Sequence, residues 1–205
     1  MARQAMRLAP SARRRGGKGR AAMLIGGIAL GFSVTYFLSD VIEALQGGFS
    51  DGQLWITLVS EAAIPVFVIG LAVVQQPRLG RLGRLSALAY AYSYVVFTGT
   101  VVYALVNHTK DYETLSAELG AVMVAHGAVM VLAGIGFGYA VLRARILPAW
   151  TALALMIGVV LVALAQGLPD QAQLAAAGVR DLGFAGMGVA VLRSALAPTK
   201  RVPQV

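Results

Sequence analysis

The sequence of 205 residues contains no cysteine and few charged residues. The lack of cysteine excludes disulfide bonds, thiolate metal sites and cysteine nucleophiles. Charged residues make up only 13% of the chain, against about 25% in a soluble domain. Hydrophobic residues make up 58%. This balance indicates a membrane protein of one domain, with no room for a separate soluble domain.

Several motifs that carry chemistry in other proteins are also missing. The chain has no His-x-x-x-His pair and no run of carboxylates, so the sequence predicts no metal site. It has neither a phosphate-binding loop nor the nucleophile turn of a serine hydrolase. We therefore expect neither a metal nor another cofactor.

Six apolar segments dominate what is present. They cover residues 21–40, 53–75, 86–106, 118–142, 149–167 and 171–192. Each is close to the 20 or so residues that an α-helix needs to cross a bilayer. The connections are short, so neighbouring helices should be antiparallel. The sequence predicts an all-α fold, a bundle of six transmembrane helices.

The net charge of +8 reflects membrane topology better than nucleic-acid binding. All lysines and arginines except Lys110 and Arg180 fall on one side of the predicted spans. This places both termini in the cytoplasm and predicts a multi-pass protein of the bacterial plasma (inner) membrane. We divide the chain into a disordered basic tail (1–20), a transmembrane domain (21–195) and a short tail (196–205). The expected partners are membrane lipids and not nucleic acid.

Small residues at a spacing of four predict three close helix contacts. They are Gly27 with Gly31, Gly134 with Gly138, and Gly186 with Ala190. We interpret all three as packing contacts inside one bundle and not as dimer faces.

The last apolar segment carries two adjacent charges, Arg180 and Asp181. Each such residue costs about 2.5–3.5 kcal/mol at the bilayer centre unless partners or water reach it. Two other segments that run inward carry an ionisable residue at a matching depth. Glu61 and His126 are each the ninth residue of their segment, and Arg180 is the tenth of its own. We therefore predict that the four side chains meet in one polar cavity in the outer half of the membrane.

These four residues are the candidate catalytic groups, and the sequence leaves their roles open. A carboxyl group in apolar surroundings favours its protonated form, whereas one paired with arginine stays ionised. Either Glu61 is the acid while Arg180 holds Asp181, or the reverse is true. His126 is a candidate proton carrier or hydrogen-bond donor. Pro65 frees the Glu61 carbonyl, because proline has no amide hydrogen to bond it.

A pocket around these groups needs an apolar wall for a lipophilic small molecule. The candidate substrate-binding residues are Tyr36, Phe67, Thr98, Met123, Met130 and Phe184. Aromatic ring faces in such a wall stabilise a passing cation.

The segment from Arg143 to Trp150, RARILPAW, resembles one found in small actinobacterial membrane proteins. The pattern of spans and acids also resembles the membrane-bound terpene cyclases of meroterpenoid pathways. That resemblance implies a small helical enzyme that uses intramembrane acids to protonate an olefin or an epoxide. It maps one acid to Glu61 and the other to Asp181. Arg180 beside the second acid departs from what the resemblance predicts.

The leading hypothesis is therefore a membrane-embedded acid-base enzyme acting on a lipophilic isoprenoid. One alternative is a small-molecule or proton-coupled transporter in which Glu61 and Asp181 relay protons. The other is an accessory or structural subunit of a membrane complex, whose charges form an ion-pair network that fixes helix register.

Overall fold

The structure is a computed structural model that describes residues 9–197, with side chains from residue 19 onward. It contains six α-helices and no strand within that range. They are α1 (Ala9–Gln46), α2 (Asp51–Val74), α3 (Gly80–Asn107), α4 (Tyr112–Ala144), α5 (Ala149–Leu164) and α6 (Asp170–Leu196). The predicted all-α fold of six helices, one for each apolar segment, is confirmed.

Helix α1 begins well before the first apolar segment. It starts at Ala9, so residues 9–20 of the tail predicted to be disordered are helical. Alanine, arginine and lysine all favour a helix, which lets the first span continue toward its N-terminus. Residues 1–8 and 198–205, which belong to the two predicted tails, lie outside the described residues.

Five of the helices are long and apolar enough to cross a membrane. The sixth, α5, has only 16 residues, or about 24 Å at 1.5 Å per residue. A hydrocarbon core is about 30 Å thick. The apolar segment ends early because Gly167, in the left-handed region at φ 78°, and Pro169 follow the helix. The architecture is that of a multi-pass membrane protein, and the orientation of its termini stays a prediction.

The helices form a closed ring in chain order. Each packs against the next, and α6 returns to pack against α1. Large side chains fill the centre, among them Phe67 of α2, Tyr90 of α3, Phe137 of α4 and Phe184 of α6. The ring brings the first and last helices together, which places residues of α1, α2 and α6 side by side.

The outward faces of the helices are apolar as well. On α2, Val59, Val66 and Val73 follow one another at intervals of seven residues, and each is at least half exposed. A helix that is apolar on all sides is typical of a membrane span, because lipid covers the side that does not face the core.

Glycines set the closest approaches between helices. Gly134 and Gly138 lie against Val159 and Met156 of α5, as predicted for that pair. Gly158 of α5 touches the backbone of Arg180, so a side chain there would collide with α6.

The predicted contact through Gly186 is also present, because this glycine lies against Trp150 and Thr151. The prediction for Gly27 and Gly31 was wrong. A Cβ at either position would meet nothing within 4 Å, and α1 instead approaches α6 through the neighbouring Gly26.

Candidate functional site

The centre of the site is a hydrogen bond between α1 and α2. The hydroxyl of Tyr36 donates to Oε1 of Glu61 at 2.7 Å, and both side chains are buried. Glu61 is the eleventh residue of α2, so it lies about 15 Å along the helix. The two helices run antiparallel across the short connection at residues 47–50. The carboxyl group is therefore held at mid-depth by a residue of the preceding helix.

Arg180 of α6 joins this pair from the other side. Its Cζ lies 4.7 Å from the centroid of the Tyr36 ring, a cation–π distance. Its Nε and Nη2 donate to the two carboxylate oxygens of Asp181 at 2.9 and 3.1 Å. A fork of this kind is the strong geometry for arginine and carboxylate. Tyr36 thus links Glu61 to the Arg180–Asp181 pair.

Asp40 completes the group of ionisable residues. Its Oδ2 lies 3.7 Å from Nη2 of Arg180, and its side chain is 22% exposed. Asp40 was not among the predicted site residues. It reaches Arg180 because it follows Tyr36 by four residues, one turn further along the same face of α1. The spacing of four residues between Tyr36 and Asp40 was the sequence signal that the two side chains share one face of α1. We call Tyr36, Asp40, Glu61, Arg180 and Asp181 the acid cluster.

The charges in the acid cluster are unequal around one guanidinium group. Asp40 and Asp181 both lie within salt-bridge distance of Arg180. Among the described residues, Glu61 has no cation at such a distance. Its Oε2 is buried without a hydrogen-bond partner. The three acids therefore occupy two kinds of environment, one ionic and one without a cation.

Aromatic rings surround the inner side of the acid cluster. Tyr94 meets Tyr36 edge-on with centroids 6.4 Å apart, and Tyr90 lies 5.1 Å from Tyr94. Phe184 touches both Tyr90 and Phe67, at 5.6 and 5.3 Å. Tyr90 is completely buried, and neither Tyr90 nor Tyr94 was among the predicted site residues. Tyr90 and Tyr94 are four residues apart on α3, and this spacing was the sequence signal that both lie on one face of the helix.

The structure places His126 apart from the acid cluster. Its Nδ1 donates to the carbonyl of Val122 at 2.8 Å, and Nε2 lies 3.2 Å from the Tyr92 hydroxyl on α3. His126 therefore does not join the acid cluster as predicted. It faces Tyr92, which lies on an exposed side of α3, and it makes no hydrogen bond or ion pair with the acid cluster.

The predicted wall residues divide into two groups. Tyr36, Phe67, Met130 and Phe184 belong to one buried cluster. Met123 is buried but lies outside that cluster. The hydroxyl of Thr98 donates to the carbonyl of Tyr94 within α3 at 2.7 Å.

One cavity of about 180 Å³ lies between the α1–α2 and α3–α4 connections and not at the acid cluster. It is lined by Phe49, Ser50, Asp51, Leu54, His108, Thr109 and Lys110. Within residues 9–197 no three histidine or acidic side chains are grouped so that they could hold a metal ion. The chemistry available to the acid cluster is therefore that of carboxyl, phenol and guanidinium groups.

Comparison of the chain with protein-family models, with curated proteins and with solved structures gave no match in any of the three.

Proposed function

We propose that this protein is a membrane-embedded enzyme in which Glu61 is the general acid for a lipophilic, isoprenoid substrate. The observation that carries the proposal is the difference between the three acids. Asp40 and Asp181 share the cation of Arg180, whereas Glu61 is buried and has no cation of the described residues within salt-bridge distance.

The cation decides which acid keeps a transferable proton. An ionised carboxylate is costly to bury unless a cation or several donors compensate it. Asp181 receives two hydrogen bonds from Arg180 and is stable as a carboxylate. Glu61 receives one hydrogen bond, from a neutral phenol. Of the two assignments that the sequence leaves open, this geometry favours Glu61 as the acid and Asp181 as the partner of Arg180.

Tyr36 positions the acid. Its hydroxyl donates to Oε1 of Glu61, which leaves Oε2 as the oxygen that carries the proton. Oε2 has no partner among the described residues, so its proton is not committed to another group of the protein. Arg180 holds the ring of Tyr36 through its face. In this account Tyr36, Asp40, Asp181 and Arg180 are positioning residues, and only Glu61 transfers a proton.

The surrounding residues suit an isoprenoid. Tyr94, Tyr90, Phe67 and Phe184 form a continuous group of rings on the inner side of the acid. Their faces would stabilise a carbocation. Protonation of an olefin or epoxide by Glu61 forms a C–H or O–H bond and leaves a cation on carbon. Ring closure moves that cation, and loss of a proton from carbon to Glu61 ends the reaction. The sequence is an isomerisation and needs no co-reactant, as the resemblance to terpene cyclases implies.

The test is conversion of a polyprenyl chain with a terminal epoxide, supplied to the purified protein in lipid nanodiscs. Products of equal mass are separated from substrate by gas chromatography. Glu61→Gln preserves size but removes the transferable proton, and we expect it to lower turnover by about 10²- to 10⁴-fold. Glu118→Gln changes an exposed acid on α4 and serves as the matched control. Equal turnover in the two variants contradicts the role of Glu61.

A second function, that of a structural or accessory subunit, is favoured by one observation. Arg180 joins the last helix to the first through Asp40, which closes the ring of helices. In that case the acid cluster holds the bundle together and no substrate is converted. Glu61→Gln would then alter detergent stability or assembly with a partner, while no olefin or epoxide tested gives a product.

A further inference from the structure

A line of polar side chains runs along the contact between α1 and α2, from the outer surface toward Glu61. The hydroxyl oxygens of Ser39 and Thr57 lie 2.6 Å apart. The amide nitrogen of Gln53 donates to both, at 3.1 and 2.9 Å, and lies 3.3 Å from Oε2 of Glu43. Ser39, Gln53 and Thr57 are buried, whereas Glu43 is partly exposed. Four side chains of two helices thus form one hydrogen-bonded group that reaches solvent only at Glu43.

The spacing of these residues directs the line inward. Gln53, Thr57 and Glu61 follow one another at intervals of four on α2. Such residues share one face of a helix and are separated by about 6 Å along its axis. On α1, Ser39 and Tyr36 are three residues apart, and Tyr36 bonds Glu61. Glu61 therefore lies one turn beyond the last member of the group.

Polar atoms without a partner mark the remaining gap. Oε1 of Gln53, Oγ of Ser60 and Oε2 of Glu61 are buried and make no hydrogen bond within the described chain. All three belong to side chains that are at most 5% exposed. Ordered water is the usual partner of such groups in proteins, and each water typically bridges two to four of them. Ser60 directly precedes Glu61, and Gln53 lies seven residues, or about two turns, before Ser60 on α2.

On α2 the line does not continue past Glu61, and on α1 the one buried hydroxyl beyond it among the described residues is that of Ser33. The buried residues of α2 that follow are apolar over nearly three turns: Ile64, Phe67, Val68, Leu71 and Ala72. A proton has polar partners toward the outer end of the helix and none toward its inner end along this face. The titratable groups that act on Glu61 include Tyr36 and Asp40 from α1, Tyr94 from α3 and Arg180 from α6, with Glu43 and Tyr112 further out.

We infer that the α1–α2 contact is the route by which Glu61 exchanges its proton with the outer aqueous phase. Glu43 is the entrance, the hydroxyls of Ser39 and Thr57 relay the proton, and ordered water bridges Thr57 and Glu61. Gln53 is a positioning residue, since its amide holds both hydroxyls in place. The inference rests on the proposed function, in which Glu61 must be protonated before it meets the substrate. The reaction itself returns the proton to Glu61, and the route is how Glu61 first gains this proton and exchanges it with water. A proton enters at Glu43, passes between oxygens and ends on Oε2 of Glu61, with no net change in the relay groups.

The experiment measures exchange of the Glu61 proton by infrared spectroscopy. Protein in lipid nanodiscs is transferred from water to deuterium oxide, and the band of the protonated carboxyl is followed in time. The band that disappears in Glu61→Gln is assigned to Glu61. Thr57→Val removes one relay hydroxyl at nearly constant volume, and Ser39→Ala removes the other. We expect either variant to slow exchange of that band at least tenfold.

Thr35→Val is the matched control. It makes the same substitution on α1, at a hydroxyl that donates only to the carbonyl of Gly31 and lies off the polar line. It should exchange at the unchanged rate. Elution as a single species in size-exclusion chromatography confirms that each variant is folded. If Thr57→Val does not fold, Ser39→Ala alone tests the route.

The possible outcomes distinguish failure of the proton route from failure of the proposed catalytic role of Glu61. Unchanged exchange in folded Thr57→Val and Ser39→Ala overturns the route but leaves the acid role of Glu61 intact. Slowed exchange in Thr57→Val and Ser39→Ala, combined with full turnover in Glu61→Gln, supports the proton route and overturns the role of Glu61 as the catalytic acid. If no band is lost in Glu61→Gln, Glu61 carries no proton and both are overturned.

Discussion

Replacing Arg180 with methionine removes the one cation that lies within salt-bridge distance of Asp40 and Asp181 among the described residues. Methionine keeps most of the length of the side chain but leaves two carboxylates without their partner. Breaking a buried ion pair on one side costs about 3–5 kcal/mol. For a chain of this size, that loss lowers the melting temperature by about 6–20 °C, at roughly 2–4 °C per kcal/mol.

The double variant Arg180→Met with Asp181→Leu distinguishes two causes of instability: the loss of the ion-pair attraction, and the cost of a buried carboxylate that has no partner. It removes both members of the forked pair, so no carboxylate at position 181 is left unpaired. Replacement of an entire buried pair by apolar residues is often neutral or stabilising. We therefore expect the double variant to melt at a higher temperature than Arg180→Met alone. Asp40 still loses its partner, but it is partly exposed and able to recover hydration.

The assay is thermal unfolding in detergent, followed by the fluorescence of Trp55 and Trp150. Arg193→Gln is the control, since Arg193 is an exposed arginine in the last turn of the same helix, and surface substitutions change stability by about 0.5 kcal/mol or less. Equal melting temperatures for Arg180→Met and Arg193→Gln would refute the claim that the acid cluster contributes to stability. A double variant less stable than the single one would refute the explanation by a stranded charge.

Three further predictions test other parts of the account. Gly158→Val should destabilise the protein strongly, because the new side chain would collide with the backbone of Arg180. Gly27→Ala places a methyl group where it meets no other atom, and it should stabilise α1 by about 0.5–1 kcal/mol. Thermal unfolding in detergent measures both effects. Asp111 accepts hydrogen bonds from the backbone and side chain of Thr114 at the start of α4, and these bonds lower the pKa of its carboxyl group. A carboxyl group whose pKa is lower in the folded state stabilises the fold at pH values above its unfolded pKa of about 3.9. This contribution is lost as the pH falls through the pKa of the folded state. The protection of amides in the first turn of α4 against hydrogen exchange, taken relative to the intrinsic rate at the same pH, should consequently fall at acid pH in the native protein. In Asp111→Ala this protection should be low and independent of that titration. A reporter fused after Lys200 should be cytoplasmic and one inserted near Lys110 external, and external signals at both sites would overturn the predicted orientation.

The apolar runs predicted the number and order of the helices because a span needs a fixed length of apolar chain. They also predicted the common depth of Glu61 and Arg180, since α2 and α6 each begin at an aspartate ten residues earlier. They did not predict where α4 begins. Helix α4 continues through polar residues toward its start at Tyr112, and its backbone departs from helical angles at Gly120. Hydropathy marks the apolar part of a helix and not its first residue.

The direction in which each side chain points was harder to predict than its depth. Inward and outward faces are both apolar in a membrane span, so hydropathy carries little information about rotation. This is why Gly27 was predicted in place of Gly26. It is also why the roles of Tyr94 and Asp40 emerged only from the packing of helices α1, α3 and α6. The assignment of the unpaired acid to Glu61 needed the same information, because sequence alone leaves Arg180 equally free to pair with either acid.

The division of roles between the two acids is tested most directly by measuring product formation and detergent stability together for Glu61→Gln and Asp181→Asn. Both variants keep side-chain volume and lose a carboxylate. The account predicts that Glu61→Gln loses turnover while its melting temperature stays close to that of the native protein. It predicts that Asp181→Asn loses several kcal/mol of stability, because it weakens the partner of a buried arginine. Full turnover in a folded Glu61→Gln variant would contradict the account.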